Sequence, residues 1–406
     1  MSGPLRVLVI GAGPGGLCLA HALRREGVDV AVYERDASAH GRQQGYRLRV
    51  SPDGEQALRD CLPERNIGLL AATAGSWRDH EIAAYDEHLE AQWAPPLGDP
   101  RPDSAELISN VDRITLRQVL LGGLEDTVRF GKRFTGLEHD HGRVTAHFAD
   151  GTSDTGDVLV AADGSRSRVR AVVRPGDEPR DLGVRTVFAR IPRERAHAGG
   201  LAEVLQDRFT YVIGKQGHLG LMPMIFRTRP DVAGHTWPEL RLEPAEDYYL
   251  GVFNIHREDL SISDSALHAL SGTALRDLVL EHTANWHPAL SEVFHHAEAD
   301  STFLAPLRVV PEVQPWEPGP VIGLGDAIHA MPPSGGVGAN AAVQDARTLA
   351  AELTALARGE LGLTDAVERY QREMAGYAGA SVELSLRIAR WSMKKLDLDE
   401  PDGGAR

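Results

Sequence analysis

The chain has 406 residues, of which 42% are hydrophobic and 25% charged, and its formal net charge is −15. These globular values fit two or three domains and exclude collagen-like and disordered chains. The acidic balance argues against nucleic acid and anionic membranes as partners. Cys18 and Cys61 are too few for a disulfide framework or a cysteine-rich zinc site. Since no segment resembles a secretory signal or a membrane anchor, we expect a soluble, cytoplasmic protein without a metal site.

The start of the chain predicts a βαβ unit. Residues 5–10 are an apolar run typical of a buried parallel strand, and residues 17–26 show helical spacing. Residues 28–33 then alternate as a second strand. The connecting turn contains the spacing Gly11-x-Gly13-x-x-Gly16, and Glu34 follows the second strand.

These residue types suit a dinucleotide. Gly11 permits the tight turn, Gly13 lets the backbone approach a pyrophosphate, and Gly16 permits close packing of helix on strand. The phosphates then lie against the free N–H groups of the helix N-terminus. Glu34 suits hydrogen bonds to an adenosine ribose and would repel a 2′-phosphate, so the pattern predicts FAD or NAD rather than NADP as the resident ligand. No second such glycine motif follows a strand.

The later elements change character along the chain. Short apolar strands and helices continue to about residue 170, longer alternating strands then predict an antiparallel sheet with one covered face, and long helices end the chain. The predicted strands are 44–50, 128–139, 143–148, 158–162, 183–191, 209–214, 218–226, 248–255 and 320–324, and the predicted helices are 54–61, 111–124, 338–357 and 364–394.

Three further segments carry a family resemblance. They are VAADGSRSRVR at 160–170, GDAIHAMPPSGGVGAN at 325–340 followed by Asp345-Ala346, and NVDRITLR at 110–117. With the glycine turn, they resemble the class A flavoprotein monooxygenases, a family of single-component aromatic hydroxylases and epoxidases with the p-hydroxybenzoate hydroxylase-like fold. The motifs occur in the family's order and span most of residues 5–357.

The resemblance implies an α/β fold: a Rossmann-like FAD-binding domain, an inserted and mainly antiparallel β-sheet domain for substrate, and C-terminal helices. The FAD-binding domain would comprise residues 1–75, 106–180 and 301–360. The substrate domain would comprise residues 76–105 and 181–300, and residues 361–406 would form the C-terminal helical segment.

The resemblance also implies non-covalent FAD. Asp326 would bond a ribityl hydroxyl, and the helix starting near Gly338 would point its positive end at the flavin. Pro333, Gly336, Val337 and Gly338 would form the catalytic loop, although Val337 stands where the family often has Gln. A surface role for Arg42 and Arg47 stays open. The implied FAD-binding residues are Gly11, Gly13, Pro14, Gly15, Gly16, Glu34, Arg35, Arg42, Arg47, Arg113, Arg117, Asp163, Gly164, Gly325, Asp326, Pro333, Gly336, Gly338, Ala339 and Asn340.

The implied activity is oxygenation. NADPH or NADH would reduce FAD, the reduced flavin would form a C4a-hydroperoxide with O2, and one oxygen atom would pass to a small, hydrophobic, electron-rich aromatic, polyketide or alkene substrate. Candidate substrate residues on the sheet are Tyr211, Met222, Met224, Phe226 and Phe253, for each of which core packing is the alternative. A reductase or dehydrogenase on the same scaffold, or a flavoprotein that only sequesters a ligand, stays open. A monomer and a homodimer are equally compatible with the sequence.

Overall fold

The computed structural model describes residues 4–39, 45–75, 82–94, 107–394 and 396–398. The strands of these residues are β1 (Arg6–Ile10), β2 (Asp29–Tyr33), β3 (Arg47–Arg49), β4 (Ala83–Tyr85), β5 (Ala91–Gln92), β6 (Asn110–Asp112), β7 (Val128–Arg129), β8 (Phe134–Asp140), β9 (Arg143–Phe148), β10 (Ser153–Gly156), β11 (Val158–Ala161), β12 (Arg180–Pro192), β13 (Thr210–Ile213), β14 (His218–Met224), β15 (Tyr248–His256), β16 (Phe303–Val309) and β17 (Val321–Gly323).

The α-helices of the same residues are α1 (Pro14–Arg25), α2 (Pro52–Cys61), α3 (Glu64–Thr73), α4 (Arg113–Leu121), α5 (Arg168–Val173), α6 (Arg193–Ala198), α7 (Pro230–Ala233), α8 (Asp264–His268), α9 (Gly272–His282), α10 (Pro288–Ser291), α11 (Asp326–His329), α12 (Gly338–Ala357) and α13 (Leu363–Met393). None of these helices combines the length and the apolar character needed to cross a bilayer.

A parallel sheet forms the half of the molecule that carries the glycine turn. Its strand order is β17-β11-β1-β2-β7, and every neighbouring pair is parallel. Strands β1 and β11 are buried and almost wholly apolar, because α1 and the small antiparallel sheet β10-β9-β8 both pack close to this sheet. The predicted βαβ unit and the Rossmann-like fold class are therefore confirmed.

A seven-stranded sheet forms the other half, in the order β16-β12-β15-β14-β13-β4-β5. All its pairs are antiparallel except β13 with β4. Strand β16 was not predicted, and it pairs with β12 from Phe188↔Phe303 to Arg180↔Val309. The domain boundary predicted at residue 300 assigns this strand to the FAD-binding domain, whereas its hydrogen bonds place it in the seven-stranded sheet.

Helices cover the face of the seven-stranded sheet that turns away from the parallel sheet. Leu267, Leu275 and Val279 of α8 and α9 pack there in one apolar cluster with Phe253 and Ile255 of β15. The sequence patterns did not predict these helices, because they are short and are separated by turns. They explain why β15 is buried on both faces.

Two long helices pack onto the half of the molecule that contains the parallel sheet. Helix α12 has the predicted bounds, 338–357, and packs against both α1 and α2. Helix α13 is 31 residues long and packs against α12 along its first part. Its last turns reach the seven-stranded sheet, where Leu386 and Met393 pack with Leu182 and Val184. Helix α13 thus spans both halves.

We expect Gly11→Ala to destabilise the fold more than Gly27→Ala does. Both glycines have positive φ, +114° and +76°, so alanine strains the backbone at each by about 1 kcal/mol. Only at Gly11 would the new Cβ also collide with the backbone directly after β11, 2.7 Å from the carbonyl carbon of Ala162, and this adds about 1–3 kcal/mol. Chemical unfolding measures both variants, with Gly27→Ala as the matched control. Equal losses would contradict the role assigned to this close approach.

Candidate active site

A cavity of about 640 Å³ lies between the two halves. One side is lined by the glycine turn, by Glu34 and by the ends of β11 and β17. The other side is lined by the seven-stranded sheet, with Phe188, Leu250 and Val252 among its residues. The ends of the parallel strands and the inner face of the antiparallel sheet therefore share one cavity, at the position where open α/β sheets bind ligands.

The glycine turn leaves a helix N-terminus open toward this cavity. Gly13 is the N-cap residue of α1, Pro14 follows it, and the first turn has neither a side-chain cap nor an acidic residue. A Cβ on Gly13 would meet no described protein atom within 4 Å, so the space before the helix is free. Its unpaired N–H groups and positive end fit the diphosphate of FAD.

Glu34 is fixed beside this turn. Its Oε2 accepts a hydrogen bond from the Ala12 N–H at 2.9 Å, and its Oε1 accepts one from the Asp36 N–H at 3.0 Å. The residue is buried, yet it still lines the cavity. Arg35, next along the chain, is exposed and also lines the cavity. Carboxylate oxygens retain accepting capacity beyond two bonds, so this geometry is compatible with a ribose contact.

A buried carboxylate holds the start of the segment 325–340. Oδ2 of Asp345 accepts hydrogen bonds from the Gly325 N–H and from Nε2 of His329, both at 2.7 Å, and its Oδ1 accepts one from the Tyr377 hydroxyl at 2.7 Å. Burial opposes the charged form of His329, but the Asp345 carboxylate outweighs it, so the pKa of this imidazole is raised above its ordinary value. The pair fixes the turn that carries Asp326.

Asp326 follows β17 and begins α11. Its side chain is exposed to the cavity, and the enclosing walls raise the pKa of the carboxyl above its ordinary value. Gly325 adopts a φ of +63°, which turns the chain at this point. The arrangement presents a carboxyl group to the cavity wall, where it is available to a hydroxyl of a bound ligand.

The segment 160–170 forms another part of the cavity wall. Oδ2 of Asp163 accepts hydrogen bonds from the N–H groups of Arg168 at 2.7 Å and of Val169 at 3.3 Å. Its Oδ1 is buried and has no partner among the described residues, and burial raises the pKa of this carboxyl. Gly164, at φ +82°, also lines the cavity. An unsatisfied acceptor at this wall is what an absent polar ligand would leave.

The predicted arginines divide into three groups. Arg47 and Arg113 line the cavity, with their guanidinium groups over the rings of Phe209 at 5.6 Å and Tyr46 at 5.2 Å. Arg117 lies outside the cavity lining and pairs with Asp36 at 2.8 Å, while its Nε and Nη2 atoms are buried without a hydrogen-bond partner among the described residues, so its phosphate contact stays a prediction. The prediction for Arg42 lies outside the described residues.

The loop before α12 forms another wall. Pro333, Gly336, Gly338 and Ala339 line the cavity, and Gly336 has a φ of +61°. Val337 is buried and lies outside the lining. Asn340 also lies outside: its Nδ2 donates to the carbonyls of Gly336 and Arg49, each at 2.9 Å, and its Oδ1 accepts from the Ser51 N–H. Asn340 therefore holds the loop in place through these hydrogen bonds and does not line the cavity.

The substrate predictions on the sheet are corrected in part. Tyr211 and Met222 line the cavity. Met224 and Phe226 belong to the apolar cluster on the same face but lie outside the lining. Phe253 is on the opposite face, packed with residues such as Trp286, because its neighbours Val252 and Asn254 take the cavity-facing positions of β15.

The sequence patterns missed much of the apolar wall. The side chains concerned are Tyr46, Phe188, Leu250, Val252 and Phe303. Phe188 and Phe303 stack with ring centroids 5.1 Å apart, and Tyr46 stacks on Phe188 at 5.6 Å. The pairing of β15 with β12 and β14 would have identified Leu250 and Val252, since cross-strand partners lie on one face.

The cavity is basic although the chain is acidic. Nine lining residues are Arg or Lys and three are Asp or Glu: Arg35, Arg47, Arg49, Arg113, Lys132, Arg133, Arg166, Arg168 and Arg308 against Glu34, Asp163 and Asp326. No group of three or more metal-ligating side chains occurs in the described ranges. The charge pattern suits a ligand with phosphate groups.

Comparisons with known proteins agree with this geometry. A model of an FAD binding domain matches residues 281–385, and one of an NAD(P)-binding Rossmann-like domain matches residues 9–58. A solved structure from Photorhabdus luminescens, described as an FAD-containing monooxygenase, is 30% identical, with a TM-score of 0.80 over 96% of this chain and 99% of that one. The chain belongs to the class A flavoprotein monooxygenases.

Other members of the family are more distant or longer. The Klebsiella pneumoniae HpxO structure with FAD and uric acid is 25% identical, with a TM-score of 0.72 over 97% of this chain and 90% of that one. A dual O-methyltransferase/FAD-dependent monooxygenase from Phaeosphaeria nodorum is 30% identical over 85% of this chain and 40% of its own length. The chain spans about two fifths of the length of the dual O-methyltransferase/FAD-dependent monooxygenases that it matches.

We expect Asp345→Asn to destabilise the protein more at low pH than at high pH. Because the folded pKa of His329 is raised, its stabilising charge is fully present below the unfolded pKa of about 6.5 and is lost as pH rises through the folded value. The difference in unfolding free energy between wild type and variant should therefore be larger at about pH 5.5 than at about pH 9.

Denaturant titrations at both pH values measure this difference. His141→Gln is the control, because that side chain is 93% exposed and its replacement should leave the pH dependence unchanged. A difference for Asp345→Asn that stays constant with pH would show that His329 is neutral in the folded protein.

Proposed function

We propose that the protein is an FAD-dependent monooxygenase that consumes NADPH or NADH and inserts one oxygen atom of O2 into a hydrophobic, electron-rich aromatic, polyketide or alkene substrate. The observation that carries this proposal is the single cavity that joins the glycine turn to the apolar inner face of the seven-stranded sheet. A nucleotide cofactor and an apolar acceptor would thereby meet without crossing bulk water.

The residues at the nucleotide end fit non-covalently held FAD. The open N-terminus of α1 would receive the diphosphate, Glu34 the adenosine ribose, and Asp326 a ribityl hydroxyl. Arg47 and Arg113 would add positive charge near the phosphates. When bound, FAD supplies the electron-transfer and oxygen chemistry that side chains lack. The route of oxygen activation given by the family resemblance stays a prediction.

The chain's own contribution is to orient the acceptor and to exclude water. The stacked rings of Tyr46, Phe188 and Phe303 form an apolar surface on the sheet side. Tyr211 links this surface to the loop before α12, since its hydroxyl donates to the Ser334 carbonyl at 3.3 Å. A dry, shaped pocket of this kind protects reactive species from hydrolysis and aligns the acceptor.

Tyr211 is suited to hold a proton rather than to remove one. Burial raises the pKa of its hydroxyl to about 12, so the group stays protonated at neutral pH. His218 is buried in the same sheet, and burial lowers the pKa of its imidazole to about 3, which keeps it neutral. The proposed oxygenation therefore relies on an acceptor that is already electron-rich.

We expect the product to carry one oxygen atom from O2. The holoprotein is incubated with NADPH or NADH and labelled O2 against phenols, polyketide quinones, indoles and alkenes, and the products are read by mass spectrometry. A parallel reaction with labelled water and ordinary O2 is the control and should give no label. Reduced product without label would instead indicate a reductase, and bound FAD with no NAD(P)H oxidation would indicate ligand sequestration.

We expect Asp326→Ala to weaken FAD binding by about tenfold to a hundredfold, because a hydrogen bond to a charged group contributes about 1.5–3 kcal/mol. Flavin absorbance per mole of purified protein and titration of apoprotein with FAD measure the effect. Glu281→Ala, an exposed change on α9, is the control and should leave affinity unchanged. Unaltered affinity in Asp326→Ala would remove the ribityl role from this residue.

A further inference from the structure

The central strands of the seven-stranded sheet present one polar row to the cavity side. Thr186 of β12, Asn254 of β15 and His218 of β14 are direct partners across the three strands. Cross-strand partners lie on the same face of a sheet, and side chains two residues apart share that face. The row therefore lies beside the cavity-lining Phe188 and Val252.

The Asn254 amide has a fixed orientation. The hydroxyl of Thr186, which is fully buried, donates to Oδ1 of Asn254 at 2.7 Å. This bond directs the Nδ2 group away from Thr186. Nδ2 has no hydrogen-bond partner among the described residues, although Asn254 is only 7% exposed and lines the cavity. The Nδ2 donor is therefore open to the cavity, where an acceptor on a bound ligand can pair with it.

The surroundings favour an uncharged acceptor. Leu250, Val252, Phe188 and Met222 make the adjacent wall apolar. His218 is neutral, because burial lowers the pKa of its imidazole to about 3. A carboxylate would lose its hydration here without gaining a charged partner from this row, whereas a carbonyl oxygen needs only one donor.

The end of α13 closes this part of the cavity without offering a competing donor. Ser392 and Met393 line the cavity. The Ser392 hydroxyl donates to the Ile388 carbonyl at 3.0 Å, within its own helix. Nε2 of His256 contacts the Met393 carbonyl at 3.1 Å. Asn254 thus lines the cavity with a donor left for a ligand, whereas Nδ1 of the buried His218 also lacks a partner but lies outside the lining.

We propose that Asn254 determines substrate specificity: its Nδ2 group donates a hydrogen bond to an uncharged carbonyl oxygen, and the substrate is an aromatic ketone or quinone whose ring packs on Phe188 and Val252. This inference rests on the proposed function and narrows it. Simple alkenes and unoxygenated hydrocarbons, which leave Nδ2 unpaired, are poor ligands.

Equilibrium binding to the oxidised holoprotein tests the proposal without turnover. The probes are 1-tetralone and tetralin, two bicyclic molecules of nearly equal size that differ by a carbonyl oxygen. Binding is read from perturbation of the flavin spectrum and by calorimetry. Wild type should bind 1-tetralone about tenfold more tightly than tetralin, the ratio expected from one hydrogen bond in an enclosed site.

Three variants separate hydrogen bonding from shape. Asn254→Leu should bring the ratio of the two affinities to about one, and Asn254→Asp, of nearly unchanged shape, should weaken 1-tetralone specifically. Thr186→Val removes the hydroxyl that orients the amide and should reduce the ratio partly. Thermal unfolding of each holoprotein confirms that it is folded. Asn254→Asp and Thr186→Val keep the test valid if Asn254→Leu does not fold.

The outcomes for this inference and for the proposed function are distinguishable. Labelled product together with a ratio that Asn254→Leu and Asn254→Asp leave unchanged would overturn the role of Asn254 alone. A ratio that falls as expected without labelled product would overturn the monooxygenase proposal alone. Equal affinity of wild type for both probes, or no binding of 1-tetralone, would also overturn the carbonyl assignment.

Discussion

The close crossing of α1 and α12 is the constraint on which the cavity depends. A Cβ at Gly15 would lie 2.8 Å from the carbonyl oxygen of Ala342, so any larger residue would separate the two helices. Both helices begin without a side-chain cap, and the first turn of each lines the same cavity. Close packing therefore places two sets of unpaired N–H groups around one space, where their dipoles add.

The turn that carries Asp326 is held by the carboxylate of Asp345, which lies outside the cavity lining. Asp345 lies on α12, and its carboxylate joins the backbone of Gly325, the imidazole of His329 and the hydroxyl of Tyr377 on α13. Both carboxylate oxygens of Asp345 accept hydrogen bonds, whereas Nδ1 of His329 is buried and has no partner among the described residues. The hydrogen bonds of Asp345 therefore connect α12 with α13 and with the segment 325–340.

The half of the molecule that contains the parallel sheet could be predicted from sequence, because its elements follow from interactions between residues close together in the chain. The turn at Gly11–Gly16, the strand before it and the helix after it follow from neighbouring residues, and α12 was predicted with its observed bounds. The side chains of the seven-stranded sheet that line the cavity could not be predicted in this way. Strand β15 is buried on both faces, so hydrophobic alternation does not distinguish Phe253 from Val252 and Asn254. Only the long-range register with β12 and β14 settles which side chains face the cavity.

The charge of the whole chain is a poor guide to the charge of its site. The net charge is −15, yet nine of the twelve charged lining residues are basic. Exposed acidic groups far from the cavity are screened over about 8–10 Å at physiological ionic strength, whereas Arg133 and Arg166 lie on its lining. The local field therefore attracts anionic nucleotides while the acidic exterior keeps the protein dispersed. Because burial in a cavity weakens screening, the nearest charges decide which ligand enters.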